Sequence, residues 1–271
     1  MERQSFLFPE PYVNVVKDEV ALSEIRIVTW NLQSPSLERA KTQMGWLQKS
    51  GANVLILTEA TVSEGSFYLI STLESLGFKI FYSQPKGDKY FTAICTKGFS
   101  ANEINFSIDT LPSRIKIVAL DTFAGRITLM GMYAPASWVK LSEEHVVRRK
   151  AFHDQVIELL EKQNDLANWI IGGDINIVDP NNLDSPIPGF EDHSLYKGFQ
   201  KLDLIDSFRV LHPDDRGYSW YSANREGFRF DYFFVSRAIF PSVIECSYDH
   251  QVRFNKYSDH SAMWLKIRKG I

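Results

Sequence analysis

The sequence predicts an α/β fold in which two mixed, mostly antiparallel sheets pack face to face with helices on the outside. Three observations carry that expectation. Short apolar runs rich in β-branched and aromatic residues recur along the chain, as buried strands do. Two longer stretches show apolar residues at helical spacing instead. Between Tyr90 and Met132 one strand-like run follows another with no helix, which demands antiparallel pairing because parallel neighbours need a long crossover. Together these features give a four-layer α/β/β/α sandwich.

In chain order, strands are expected at 25–30 and 54–57, with a helix at 36–49 between them. Leu37, Ala40, Met44 and Leu47 form its apolar stripe. Strands at 91–95, 115–120 and 127–132 follow. A second helix spans 143–162, with Val146, Val147, Phe152, Val156, Leu159 and Leu160 along one side. Strands at 169–171, 230–235 and 263–267 complete the set. The stretch 179–188, rich in Asp, Asn and Pro, is the least regular. Residues 1–24 read as an N-terminal extension wrapped on the surface or partly disordered, and 25–271 as one domain.

A chain of 271 residues, 44% hydrophobic and 23% charged, is large enough to fold without a disulfide or a structural metal. Cys95 and Cys246 lie far apart and outside any ligand motif, so neither a zinc site nor a disulfide framework is expected. The first ten residues lack the order of a secretory signal, and no apolar run approaches the ~20 residues needed to cross a bilayer. The expectation is a soluble, cytoplasmic monomer with no membrane contact and no obligate protein partner. A formal net charge of −3 argues against a protein that coats nucleic acid non-specifically. An acidic enzyme can still bind a polyanion where a divalent cation supplies local positive charge.

Polar residues gather where the strands end. Asn31 follows the first strand and Glu59 the second. Tyr133 closes the run that ends at Met132, and Asp174 and Asn176 follow Gly172-Gly173. Asp231 opens Tyr232-Phe233-Phe234-Val235, and Asp259-His260 precede the last strand. Singly, each has a plain structural explanation. Strand-end Asp and Asn make turns or caps, a Gly pair makes a tight turn, and a Trp such as Trp220 packs in a core. Jointly, four acids, two amides, a Tyr and a His at strand ends point to a catalytic site presented by a rigid scaffold.

In this order the residues resemble the endonuclease/exonuclease/phosphatase superfamily. The matching segments are Thr29-Trp30-Asn31, Leu57-Thr58-Glu59, Tyr133-Ala134-Pro135, Gly173-Asp174-Ile175-Asn176, Arg229-Phe230-Asp231-Tyr232 and Ser258-Asp259-His260, which span nearly the whole chain. The stretch from Leu204 to Pro213 and Tyr218-Ser219-Trp220-Tyr221-Ser222 are similar to the exonuclease III-like, apurinic/apyrimidinic endonuclease branch. So is Tyr133, where many other relatives carry a His.

The resemblance implies a deoxyribonuclease I-like sandwich and a Mg²⁺-dependent phosphodiester hydrolase, with Mn²⁺ as a substitute. The implied substrate is DNA, cut at an abasic site or at a 3′ end, as in DNA repair. Glu59, Asn31 and Asp259 are then the expected metal-binding residues, since hard cations take oxygen ligands. Asp174 is expected as the base for the attacking water, with Asn176 and Tyr133 donating to the phosphate. His260 is the phosphate's cationic partner, with Asp231 on its other ring nitrogen. Trp220 and Arg225 are expected at the substrate, the indole as an aromatic surface and the guanidinium as a phosphate contact.

Three departures bear on the substrate. Glu59 lies between Thr58 and Ala60, where the repair enzymes usually read Gln and Thr. The basic insertion that usually follows Gly-Asp-x-Asn is replaced by the short stretch 178–184, and the chain as a whole is acidic. Two alternatives follow: the same chemistry on a nucleotide, phospholipid or sugar phosphate, and a non-catalytic binding module on the same fold. Such modules typically lose metal or phosphate groups, and this chain keeps every position named above.

Overall fold

The chain builds both sheets around one recurring unit, a parallel strand pair joined by a helix. A computed structural model describes residues 23–136, 142–180 and 193–268. The expected extension therefore lies outside the described residues except for Ser23 and Glu24, and most of the irregular stretch 179–188 does too.

The first unit is β1 (Glu24–Asn31), α1 (Leu37–Ser50) and β2 (Val54–Thr61), with β1 and β2 parallel. Ser36 caps α1 by accepting from Arg39 N, and Gly51 ends it in the left-handed conformation. Next come α2 (Glu64–Ser75), β3 (Lys79–Tyr82) and β4 (Tyr90–Thr96), with β4 antiparallel to both β2 and β3. The chain then crosses to the second sheet through β5 (Ser100–Glu103), a 3₁₀ turn at Pro112–Arg114, β6 (Ile115–Thr122) and β7 (Gly125–Tyr133).

The second unit is β7, α3 (Glu143–Glu161) and β8 (Trp169–Asp174), again with parallel strands. It is followed by α4 (Ser194–Lys201), β9 (Leu204–Asp206), α5 (Ser207–Leu211), the hairpin β10 (Trp220–Tyr221) and β11 (Gly227–Phe228), and β12 (Asp231–Ser236). The strands β13 (Val243–Asp249) and β14 (Ala262–Arg268), separated by α6 (Gln251–Phe254), return to the first sheet. The strand orders are β13-β14-β1-β2-β4-β3 and β5-β6-β7-β8-β12-β9. This is the expected fold.

Strand alternation sorts the side chains into three cores. Ile25, Ile27, Ile56 and Ile94 meet Val118, Leu129, Ile170 and Phe233 between the sheets. Val28, Trp30, Leu55 and Leu57 face Ala40, Met44 and Leu47 of α1 and Leu69 and Leu73 of α2. Ile117, Met130, Ile171 and Phe234 face Phe152, Val156 and Leu160 of α3.

Three local expectations change. The run at 91–95 does not pair with the run at 115–120, since β4 belongs to the first sheet and β6 to the second; β6 finds its antiparallel neighbours in β5 and β7. In α3, Val146 and Val147 are exposed, and burial along the helix begins at Arg149. Gly172-Gly173 form no turn but lie inside β8.

Candidate active site

Each parallel unit ends its strands on functional residues, and the antiparallel neighbours begin theirs beside them. Asn31 ends β1, Glu59 lies near the end of β2, Tyr133 ends β7 and Asp174 ends β8. Pairing registers place Tyr133 and Asp231 on either side of Asp174. The loop before β14, the antiparallel neighbour of β1, carries Asp259 and His260. The two sheets thus deliver their polar ends to one rim of the sandwich.

The local backbone is shaped for this. Glu59 (φ 53°) and Asn176 (φ 51°) both occupy the left-handed region, which is uncommon for a residue with a side chain and clusters at functional sites. Glu59 also sits in a bulge, where the β2–β4 register shifts between Leu57 and Ala60, and a bulge re-aims side chains. Gly173 has φ 147°, and a Cβ there would lie 1.9 Å from the carbonyl oxygen of Met132, so only glycine lets β8 approach β7 next to Asp174. Gln43 on α1 donates to the carbonyls of Leu32 and Tyr257, tying the segments after β1 and before β14 together.

The hydrogen bonds join the two sheets. Asn31 Nδ2 donates to Asp174 Oδ2 at 2.8 Å, and Asn31 Oδ1 accepts from Gln33 N. His260 Nδ1 lies 2.8 Å from Asp231 Oδ2, and its Nε2 faces Asp174 Oδ2 at 3.9 Å. Ser258 Oγ donates to the Asn31 carbonyl and accepts from His260 N, fixing the last loop against β1. Asn176 Nδ2 donates to Ala134 O, which commits one of its two N–H groups. Trp220 Nε1 donates to Asp259 Oδ2 at 3.0 Å.

Burial governs the charges. It raises the Asp174 carboxyl well above the usual carboxylate range, and Asp231 and Glu59 push the same way. Burial would lower His260, but Asp231 and Asp174 outweigh it and hold the ring protonated beyond its usual range. Glu59 is raised by burial and by neighbouring Asp259, against a hydrogen bond from Asn31. Burial, then Glu59 and Asp174, raise Tyr133, so its phenol stays a neutral donor.

Residues 28–260 match the model of the Endonuclease/Exonuclease/phosphatase family. The chain belongs to that family. It is similar to exodeoxyribonuclease III of Haemophilus influenzae, 27% identical over 257 residues that cover 82% of this chain and 92% of the relative. It is also 26% identical over 215 residues to a DNA-(apurinic or apyrimidinic site) endonuclease of Arabidopsis thaliana, covering 64% of this chain and 57% of the plant protein. Its fold matches an AP endonuclease from Archaeoglobus fulgidus with a TM-score of 0.74 at 20% identity, over 91% of this chain and all of the other. The deoxyribonuclease I-like architecture and the exonuclease III-like resemblance therefore stand, and the chain is a hydrolase of the Endonuclease/Exonuclease/phosphatase family.

Family members of this kind use a divalent cation, and the residues here fit one. The Oδ1 atoms of Asp174, Asp231 and Asp259 are buried with no hydrogen-bond partner among the described residues, a costly state that a cation relieves. The donor atoms fall into two groups. One is Asp174, Asp231 and His260, whose ligand-type atoms lie within 4.8 Å of one another, although Asp231 and His260 already bond to each other. The other comprises Glu59 with Asn31 and Asp259 in electrostatic reach of it, oxygen-rich as hard cations prefer.

Of the two expected substrate residues, Trp220 borders this centre through its bond to Asp259, and Arg225 lies on the hairpin beyond it. Trp220 is only 7% exposed and packs with Val178, Phe228 and Phe230, its ring 6.4 Å from His260. Arg225 is exposed on the turn between β10 and β11, with φ 66°. Arg229 pairs with Asp206 and Asp179 in a buried network that also takes Arg209. Sequence reasoning missed Arg114, Asp88 and Tyr90, which border Tyr133. No motif marks them, because their partners lie far off in the chain.

Proposed function

We propose that the protein is a divalent-metal-dependent phosphodiesterase acting on nucleic acid, most simply DNA, as an abasic-site endonuclease or a 3′-end exonuclease. The single observation that carries this reading is the Asn31–Asp174 and His260–Asp231 pairing, which gathers a buried carboxylate base and a buried cation from opposite sheets.

Glu59 and Asp259, with help from Asn31, would hold a Mg²⁺-type ion, which when bound would neutralise charge on the phosphate and the leaving oxygen. The protein groups do the rest. Asp174, oriented by Asn31 through Oδ2, takes the proton from the attacking water at Oδ1, and its burial makes it a stronger base than an exposed carboxylate. His260 presents Nε2 to a phosphate oxygen while Asp231 holds Nδ1–H and keeps the ring charged. The free N–H of Asn176 and the hydroxyl of Tyr133 donate to the same phosphate as charge builds. Trp220 holds Asp259 in place and offers the edge of its aromatic cluster to an unstacked sugar or base. Arg225 contacts the flanking phosphate from the hairpin turn.

A role in DNA repair rests on the resemblance to repair nucleases, and a cytoplasmic location, proposed alongside it, on two isolated cysteines that suit a reducing compartment. A second reading keeps the chemistry but takes a nucleotide, phospholipid or sugar phosphate; the net charge of −3 favours it. A substrate panel with Mg²⁺ separates them: an abasic duplex, a 3′-recessed duplex, single strands, a nucleotide and a bis-nitrophenyl phosphate. Cleavage of a nucleic acid at rates far above the generic ester supports the first reading. Turnover of the small esters alone supports the second.

A further inference from the structure

We propose that Arg114, clamped by Asp88, is a positioning residue that sets the direction of the Tyr133 hydroxyl. This rests on the reading of Tyr133 as a phosphate donor and extends it to residues with no place in the family motifs above.

The side chains form one unit. Arg114 Nε and Nη2 donate to Asp88 Oδ2 and Oδ1 at 2.5 and 3.1 Å, a two-point pairing with both side chains only 10–11% exposed. The guanidinium carbon lies 4.8 Å from the centre of the Tyr133 ring and 4.9 Å from that of Tyr90. The two rings meet edge to face, 5.3 Å apart at 84°. One planar cation, fixed along its fork by Asp88, therefore braces both rings.

The backbone beneath it is anchored separately. Thr92 Oγ1 donates to Arg114 O and Ser113 Oγ donates to Tyr90 O, each at 2.8 Å, tying the 3₁₀ turn to β4. A side-chain substitution at Arg114 or Asp88 leaves these bonds in place. With its fork turned to Asp88, Arg114 is held as a brace rather than offered outward as a phosphate ligand. A buried phenol has few rotational anchors of its own, and a shift of about 1 Å at a reacting group can cost ~10²-fold in rate. Lysine keeps the charge but loses the flat face and the fork, so Arg114→Lys tests shape rather than charge.

The test is a double-mutant cycle in Mg²⁺, with kcat and KM measured on an abasic duplex and on bis-nitrophenyl phosphate, and folding followed by thermal melting. Arg114→Lys is expected to lower kcat about 10–50-fold with KM within about 2-fold, and Asp88→Asn to lower it in the same direction by less. In a Tyr133→Phe background, where the ring remains but the hydroxyl is gone, both substitutions should cost less than about 2-fold. Equal losses in the two backgrounds, or a rise in KM on DNA with kcat unchanged, overturn the brace while leaving Tyr133 as a donor. A wild-type rate in Tyr133→Phe alone removes the donor reading, and the brace falls with it. Should Arg114→Lys fail to fold, the Asp88→Asn arm carries the same cycle.

Discussion

Asn31 shows how much one side chain does at this rim. Its amide nitrogen fixes Asp174 and its amide oxygen receives Gln33 N, so it orients that carboxylate and the turn after β1 together. Asp174 and His260 are the residues whose loss should matter most. Asp174→Asn and His260→Ala are each expected to lower turnover at least ~10³-fold while melting near the wild-type temperature, as for groups that act in the transition state. Rates near wild type in both would overturn the roles given to them. Asp88 offers a test of a different kind. Burial would raise its carboxyl, but Arg114 and the amides of Lys89 and Tyr90 bring it below its ordinary value. Its pairing therefore stabilises the fold fully above the unfolded value of about 3.9, and that contribution fades as pH falls through the lower folded value. The melting-temperature gap between wild type and Asp88→Asn should be widest near neutrality and close below about pH 3. A gap that widens in acid would contradict the pairing.

At the scale of elements, β8 carries the tightest constraint. The Cβ of any residue at 173 would meet the Met132 carbonyl, and the φ of 147° is strained for a side chain. Gly173→Ala should cost about 3 kcal/mol or more in denaturant unfolding, whereas a loss under about 1 kcal/mol would mean the strand relaxes freely. Periodicity exposed eight of the strands and the helices α1 and α3 because burial repeats along them, but it missed α2 and the largely half-exposed β13. It misplaced the start of the α3 stripe, since Val146 and Val147 sit on the helical face while burial begins a turn later. It also passed over β3, β5 and β9, which have three or four residues each and too few alternations to register. Nor could it tell that β4 and β6 belong to different sheets, because a crossing between sheets changes no residue pattern.

At the scale of the molecule, the candidate site was legible because its residues end strands, where the apolar pattern stops and a lone polar residue stands out. Asn31, Glu59, Tyr133, Asp174, Asp231, Asp259 and His260 all came from that signal. The contacts that support them were not legible. Asp88 lies 26 positions from Arg114, and Arg229 lies 23 from Asp206 and 50 from Asp179. Ion pairs across such separations leave no periodic trace. The fold turns these scattered residues into one acidic rim with three buried carboxylate oxygens that lack partners among the described residues. The measurement that bears most directly on this is turnover of a phosphodiester with the divalent cation stripped by EDTA and then restored. Hydrolysis should fall to background in EDTA and return with Mg²⁺ or Mn²⁺ in excess. Undiminished hydrolysis in EDTA, or none of any phosphodiester with the metal present, would contradict it.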